Sequence, residues 1–359
     1  MTDVPSSRLR SQDQILGAIG AISGQLPTDL SAAFGADQRR TTDPQPADLG
    51  DVKALIGRIK TRLGLAPAVD RQRAIELSGL LDALANNESL SFTRGELAAL
   101  DGLLHRAADE VPTLDREPVA LPPLPDHQIA MWRTLLAFEK LDRPWVLVGG
   151  QMTMLHCLEN NHRVTRATDD GDVIVGVWTR RDSLRAASRL LRDSGFVEAK
   201  TSDGYGYRFA RHSPHATVID LLLPEGLERQ RQQPTTSLGR RGLSVEGGNQ
   251  ALARAQRVPV MVGSLSGYVR RPSLLGALVA KAHAYVSDSR DVDRHAEDIV
   301  TLADIALRSP RATLQEARSE DRKPIRRFLR NKTAEHRFFS DTSDPDAVFA
   351  FLTRLAEPI

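Results

Sequence analysis

Two short apolar runs in this 359-residue chain carry aspartates where a buried strand ordinarily carries none. One reads Asp169-Asp170-Gly171-Asp172-Val-Ile-Val175, the other Val218-Ile219-Asp220-Leu-Leu-Leu223. A carboxylate in so apolar a strand is costly unless a cation or a donor meets it. Side chains two apart share one face of a strand, so Arg166, Thr168, Asp170 and Asp172 point the same way from a strand expected over about 166–177. Two carboxylates at that spacing repel each other, and a hard cation that takes one or two carboxylates plus substrate phosphates relieves them. A solvated acidic turn is the alternative, since Asp-Asp-Gly-Asp is also turn chemistry. Asp220 likewise suits either a metal or a structural ion pair. A calcium EF-hand is excluded, because the twelfth position counted from Asp169 or Asp170 is an arginine rather than glutamate.

The surroundings divide the chain. Residues 1–110 read as a helical N-terminal domain. Val52, Leu55, Ile56, Ile59 and Leu63 follow helical spacing. A further helix is expected over about 70–85, and Thr93 with Glu96 has capping-box spacing before another. Gly35–Gly50 reads as a linker, and 111–125 as a proline-rich linker. From 126 to 263 short strands alternate with helices: a helix over about 127–141, strands near 144–148, 196–200, 205–211, 217–223 and 258–262, and a long polar loop over 224–249. Pro272 is expected in the first turn of a helix through Val286, opening a helical C-terminal domain, 264–359. The fold class is α+β: a small mixed sheet with helices packed on it, flanked by helical regions at both ends.

Other residues add chemistry. Gly149-Gly150 follows the apolar run Trp145–Val148 and precedes a helix, which exposes backbone N–H groups where phosphate binds readily; close packing alone also explains it. Lys281 lies in a very apolar helix of a chain with seven lysines among 48 basic residues. It reads either as a compact charge for a triphosphate or as a snorkelling surface lysine. Asp298 is placed to orient Lys281 or Arg290. His156, Cys157 and His162 lack zinc spacing, and His212 with His215 reads as a surface pair. One cysteine excludes a disulfide framework within the chain. No apolar run approaches the ~18 residues of a membrane span, and the first residues lack a secretory signal's apolar stretch. A soluble, cytoplasmic protein with no membrane partner is expected. A net charge of +2 says little about partners, although Arg308–Arg337 holds ten Lys/Arg against four acids.

Taken together, Val148-Gly149-Gly150, then Arg166, Thr168, Asp170 and Asp172, then Asp220, resemble the nucleotidyltransferase superfamily named after DNA polymerase β. Residues 271–285 and 288–302 look like the later lysine and aspartate motifs of its AbiEii/MenT-like branch, the toxins of abortive-infection and type IV toxin–antitoxin systems. Thr168 stands where many members carry serine, and His295 where this branch often has aspartate. The resemblance implies a metal-dependent transfer of NMP from an NTP to an acceptor hydroxyl, with release of pyrophosphate. It implies two Mg²⁺ ions on Asp170, Asp172 and Asp220, with Asp220 also receiving the acceptor's proton. The nucleotide would lie on Gly149, Gly150, Arg166, Thr168 and Lys281, with Lys281 and Asp298 completing the catalytic set. It points to RNA, first the 3′ end of tRNA, as acceptor, to a toxin that blocks translation, and to a cognate antitoxin. A protein or small-molecule acceptor such as an antibiotic, or a non-catalytic nucleotide-binding module, remains the alternative.

Overall fold

The structure is a computed structural model that describes residues 6–23, 34, 43–65, 71–88, 91–109, 111–141, 143–164, 168–177, 180–212, 216–227, 233–288 and 291–357. It divides into two compact units, Met1–Glu110 and Val111–Ile359.

Among its described residues the first unit contains the helices α1 (Ser6–Ser23), α2 (Leu49–Leu65), α3 (Arg71–Ala85) and α4 (Arg94–Asp109). Ile15 and Ile19 meet Val52, Leu55, Ile56, Ile59, Leu81, Leu100 and Leu104 in one buried cluster. The apolar stripe read from α2 is therefore the stripe that is buried. At the start of α4 the capping box is formed in both directions: Thr93 N–H donates to Glu96 Oε2 (2.8 Å) and Glu96 N–H to Thr93 Oγ1 (3.2 Å). Those bonds satisfy two donors that a helix start otherwise leaves orphaned.

Among the described residues the second unit is built on two sheets. Its elements are β1 (Val119–Ala120), α5 (Asp126–Ala137) with a 3₁₀ turn Phe138–Lys140, β2 (Trp145–Val148), α6 (Gly149–Glu159), β3 (Asp170–Val175), α7 (Ser183–Asp193), β4 (Val197–Glu198), β5 (Arg208–Arg211), β6 (Thr217–Pro224), β7 (Leu243–Val245), α8 (Gly248–Ala253), β8 (Ala255–Val262) and β9 (Leu265–Pro272). The helices α9 (Leu274–Ser287), α10 (Val292–Ala306), α11 (Pro310–Glu316), α12 (Ser319–Leu329) and α13 (Pro345–Ala356) follow. The larger sheet runs β2-β3-β6-β5-β4, with β7 added along the end of β6. Among the described residues β3–β6 and β6–β7 are the parallel pairs within it. The smaller sheet is β1-β8-β9.

Each face of the larger sheet has its own cover. Val173, Val175, Ile219, Leu221 and Phe209 join Met131, Trp132 and Leu135 of α5 and Leu184 of α7 in one cluster. Ile174 and Leu222 on the other face pack with residues of α9, α10, α12 and α13. The C-terminal helices therefore share a core with the central strands, and the border expected at 263/264 falls inside the β8–β9 hairpin. β9 has no counterpart in the sequence reading, and Pro272 closes it rather than opening a helix. Ser273 caps α9 instead, accepting from Gly276 N–H. The long polar stretch 224–249 contains β7 and the start of α8. The acid-bearing strand is shorter than expected, beginning at Asp170.

Candidate active site

Strand register brings the acids together. In the parallel β3–β6 pair, Asp172 stands beside Asp220 and Asp170 beside Val218. Cross-strand partners face the same side of a sheet, about 5 Å apart. Asp170, Asp172 and Asp220 therefore share the face that further along is covered by the C-terminal helices. Apolar cover gives way to carboxylates at Asp172 and Asp220, each two residues before a buried or half-buried apolar side chain, Ile174 and Leu222.

The diglycine closes on this face. Val148 of β2 pairs with Asp172, and the chain turns at Gly149 straight into α6. Gly149 has φ +70°, and a Cβ placed there would lie 1.8 Å from Asp172 Oδ2. Only glycine admits both that backbone angle and that carboxylate. A Cβ on Gly150 would lie 2.8 Å from the Thr168 side chain. No side chain of the N-cap residue, Val148, caps α6, so its first N–H groups remain donors beside the acids.

The loop entering β3 is held from below. Gln151 Nε2–H donates to Thr168 O (2.8 Å), and Gln128 Nε2–H to Asp169 Oδ1 (2.8 Å). His127 Nε2 lies 3.0 Å from the same Asp169 oxygen. Those bonds, Gln128 first, hold the Asp169 carboxyl below its ordinary range, yet Asp169 is exposed and lies off the acid face. Thr168 is buried, and its hydroxyl donates to Asp170 Oδ1 (2.8 Å). In this state the threonine orients an acid. Arg166 lies outside the described residues, as do Arg290 and His215.

Charge on the face is uneven. Burial, then Asp170 and Asp220, push the Asp172 carboxyl up to about 7, against the opposing pull of Lys281 and Arg208. Its residue keeps some solvent access, but protein atoms surround the carboxylate. No hydrogen bond from the described residues reaches it. Asp220 is in the opposite position. Arg208, its cross-strand partner on β5, donates Nε–H to Oδ1 (3.0 Å) and Nη2–H to Oδ2 (2.8 Å). Lys281 on α9 and Asp298 on α10 form a buried ion pair, Nζ to Oδ2 2.6 Å. The lysine is 4% exposed, so it is neither a snorkelling surface residue nor an open ammonium. His295 on α10 is pushed below its ordinary range by burial, then by Lys281.

These residues fit a magnesium ion in one respect. Among the described residues no three His, Cys, Asp or Glu side chains are gathered to cage a metal by themselves. Magnesium requires less, since it keeps waters and substrate phosphates and takes one or two carboxylates. Asp170 and Asp172 offer that pair, and among the described residues Lys281 and Arg208 act on Asp172 through space without a hydrogen bond to it.

Sequence reasoning missed Arg208, Gln128, Gln151 and His127. Arg208 carries no motif; only the β5–β6 register sets it opposite Asp220. The basic stretch 308–337 is engaged within the fold only in part, with Arg311, Lys323, Arg327 and Arg330 exposed. Arg322 is buried, Arg326 donates to Ala356 O, Lys332 to Tyr285 Oη and Phe328 O, and Arg337 pairs with Asp293. Among the described residues no helix is long and apolar enough to cross a membrane.

No family model matches the chain, and no curated protein matches it. Among solved structures, the chain is similar to an antigenic nucleotidyltransferase-like protein from Paracoccidioides brasiliensis, at 19% identity and a TM-score of 0.32, over 51% of this chain and 78% of that one.

Proposed function

We propose that the protein is a divalent-metal-dependent nucleotidyltransferase that moves a nucleoside monophosphate from an NTP to an acceptor hydroxyl. The observation that carries this is the contact of Gly149 with Asp172, which fuses an open helix N-terminus to a face bearing Asp170, Asp172 and Asp220. A phosphate-binding end and a set of acids are thus one construction. The acceptor oxygen attacks the α-phosphorus, the bond to the bridging oxygen of the β-phosphate breaks, and pyrophosphate leaves.

In this reading the N–H groups at the start of α6 hold phosphate oxygens, with Gly150 allowing close approach. Magnesium, held by Asp170 and Asp172, would supply Lewis-acid stabilisation of the phosphate charge. Thr168 fixes the rotamer of Asp170. Lys281, itself fixed by Asp298, is a buried cation beside the acids and stabilises phosphate charge through its field. Asp220 receives the proton of the acceptor hydroxyl. Incubating the wild type and Asp170→Ala with each α-labelled NTP and total RNA tests the reading. Label should pass to RNA in the wild type and fall at least roughly a hundredfold in the variant; equal labelling removes the proposal.

The motif resemblance extends the proposal to tRNA 3′ ends as acceptor, and to a toxin with a cognate antitoxin. Sizing the labelled RNA checks the acceptor. The Arg208 fork on Asp220 favours a second reading, a nucleotide-binding module without turnover, which predicts NTP binding with no transfer of label.

A further inference from the structure

We infer that Arg208 is the resident counter-ion of Asp220 and competes with a divalent cation for it, so that the third acid enters the metal site only when the arginine is drawn away. This rests on the metal-dependent reading above. The argument begins with charge balance. Three carboxylates share one face; among the described residues no guanidinium or ammonium is in direct contact with Asp170 or Asp172, while Asp220 has both oxygens engaged by one fork. Each oxygen keeps a lone pair, but a dication seated there would face the guanidinium at close range.

Exposure shows which partner is free to move. The Asp220 side chain is 9% exposed and anchored mid-strand, whereas Arg208 is 43% exposed at its side chain. Arg208 is also within the electrostatic reach of Asp170, so it lies over the acid face rather than pointing away from it. A triphosphate arriving at α6 would offer the guanidinium the forked oxygens it prefers. Release of Asp220 would then coincide with nucleotide binding, and the acid would be kept from collecting a metal in its absence.

Mn²⁺ binding without nucleotide, followed by electron paramagnetic resonance, reads this directly. Arg208→Gln should bind Mn²⁺ roughly tenfold more tightly than the wild type, because no population is held in the paired state. Removing any nearby positive charge also favours a cation, so the decisive comparison is in an Asp220→Asn background. There Arg208→Gln should change affinity by less than about threefold, since the two effects act through one carboxylate. Should Arg208→Gln fold poorly, Arg208→Lys keeps the charge but loses the fork, and about threefold tightening is expected. Unchanged affinity in these variants, or a gain that persists in Asp220→Asn, overturns the inference and leaves the metal site standing. Absence of Mn²⁺ binding in every protein overturns the metal-dependent reading and the inference with it.

Discussion

Lys281 Nζ lies 2.6 Å from Asp298 Oδ2, with both side chains almost sealed from solvent. The pair joins α9 to α10 and leaves a fixed positive charge beside Asp172. Removing one member strands the other in a medium that solvates it poorly. Lys281→Met should therefore lose roughly 3–5 kcal/mol in urea unfolding. The double variant Lys281→Met, Asp298→Leu should recover most of that loss. A single variant as stable as the wild type would show that solvent reaches the pair.

Asp172 gives a pH dependence with a definite sign. Its carboxyl titrates at about 7 in the folded protein, against about 3.9 in an unfolded chain. Between those values the native state binds more protons, so stability falls as pH rises from about 4 to about 7 and levels off above. Asp172→Asn removes that term. In metal-free buffer it should match the wild type near pH 4 and exceed it by on the order of 2 kcal/mol at pH 8. Parallel stability curves for the two proteins would argue against the raised carboxyl.

Two glycines separate packing from propensity. Gly149→Ala combines φ +70° with a Cβ driven onto the Asp172 carboxylate, and should cost at least about 2 kcal/mol. Gly57 sits in α2 with no atom within 4 Å of an added Cβ. Gly57→Ala should stabilise by roughly 0.5–1 kcal/mol. Denaturant melts of both variants check the contrast.

The Thr93–Glu96 capping box predicts a local effect in the first unit. Thr93→Ala leaves the Glu96 N–H without its partner, and should cost about 1 kcal/mol. Faster hydrogen exchange in the first turn of α4, with the second unit unchanged, is the expected signature.

The sequence by itself determined what depends on near neighbours along the chain. Apolar spacing in 52–63 defined α2, Thr93 and Glu96 defined the start of α4, and the alternation Asp170, Asp172, Ile174 defined one strand face, because helix and strand periods act within a few residues. Tertiary structure decided which strands became neighbours. Asp220 is 48 positions beyond Asp172, and only the parallel β3–β6 register sets them side by side. The same register logic put Arg208 against Asp220 and revealed β9 as the partner of β8. Helix packing likewise buried Arg322 and tied Arg326 and Lys332 into the fold while leaving Arg311, Lys323, Arg327 and Arg330 exposed, because a charge pattern along a chain does not say which face a helix will bury. Pairing across a sheet is chosen by the sum of packing on both faces, a quantity that no short motif contains.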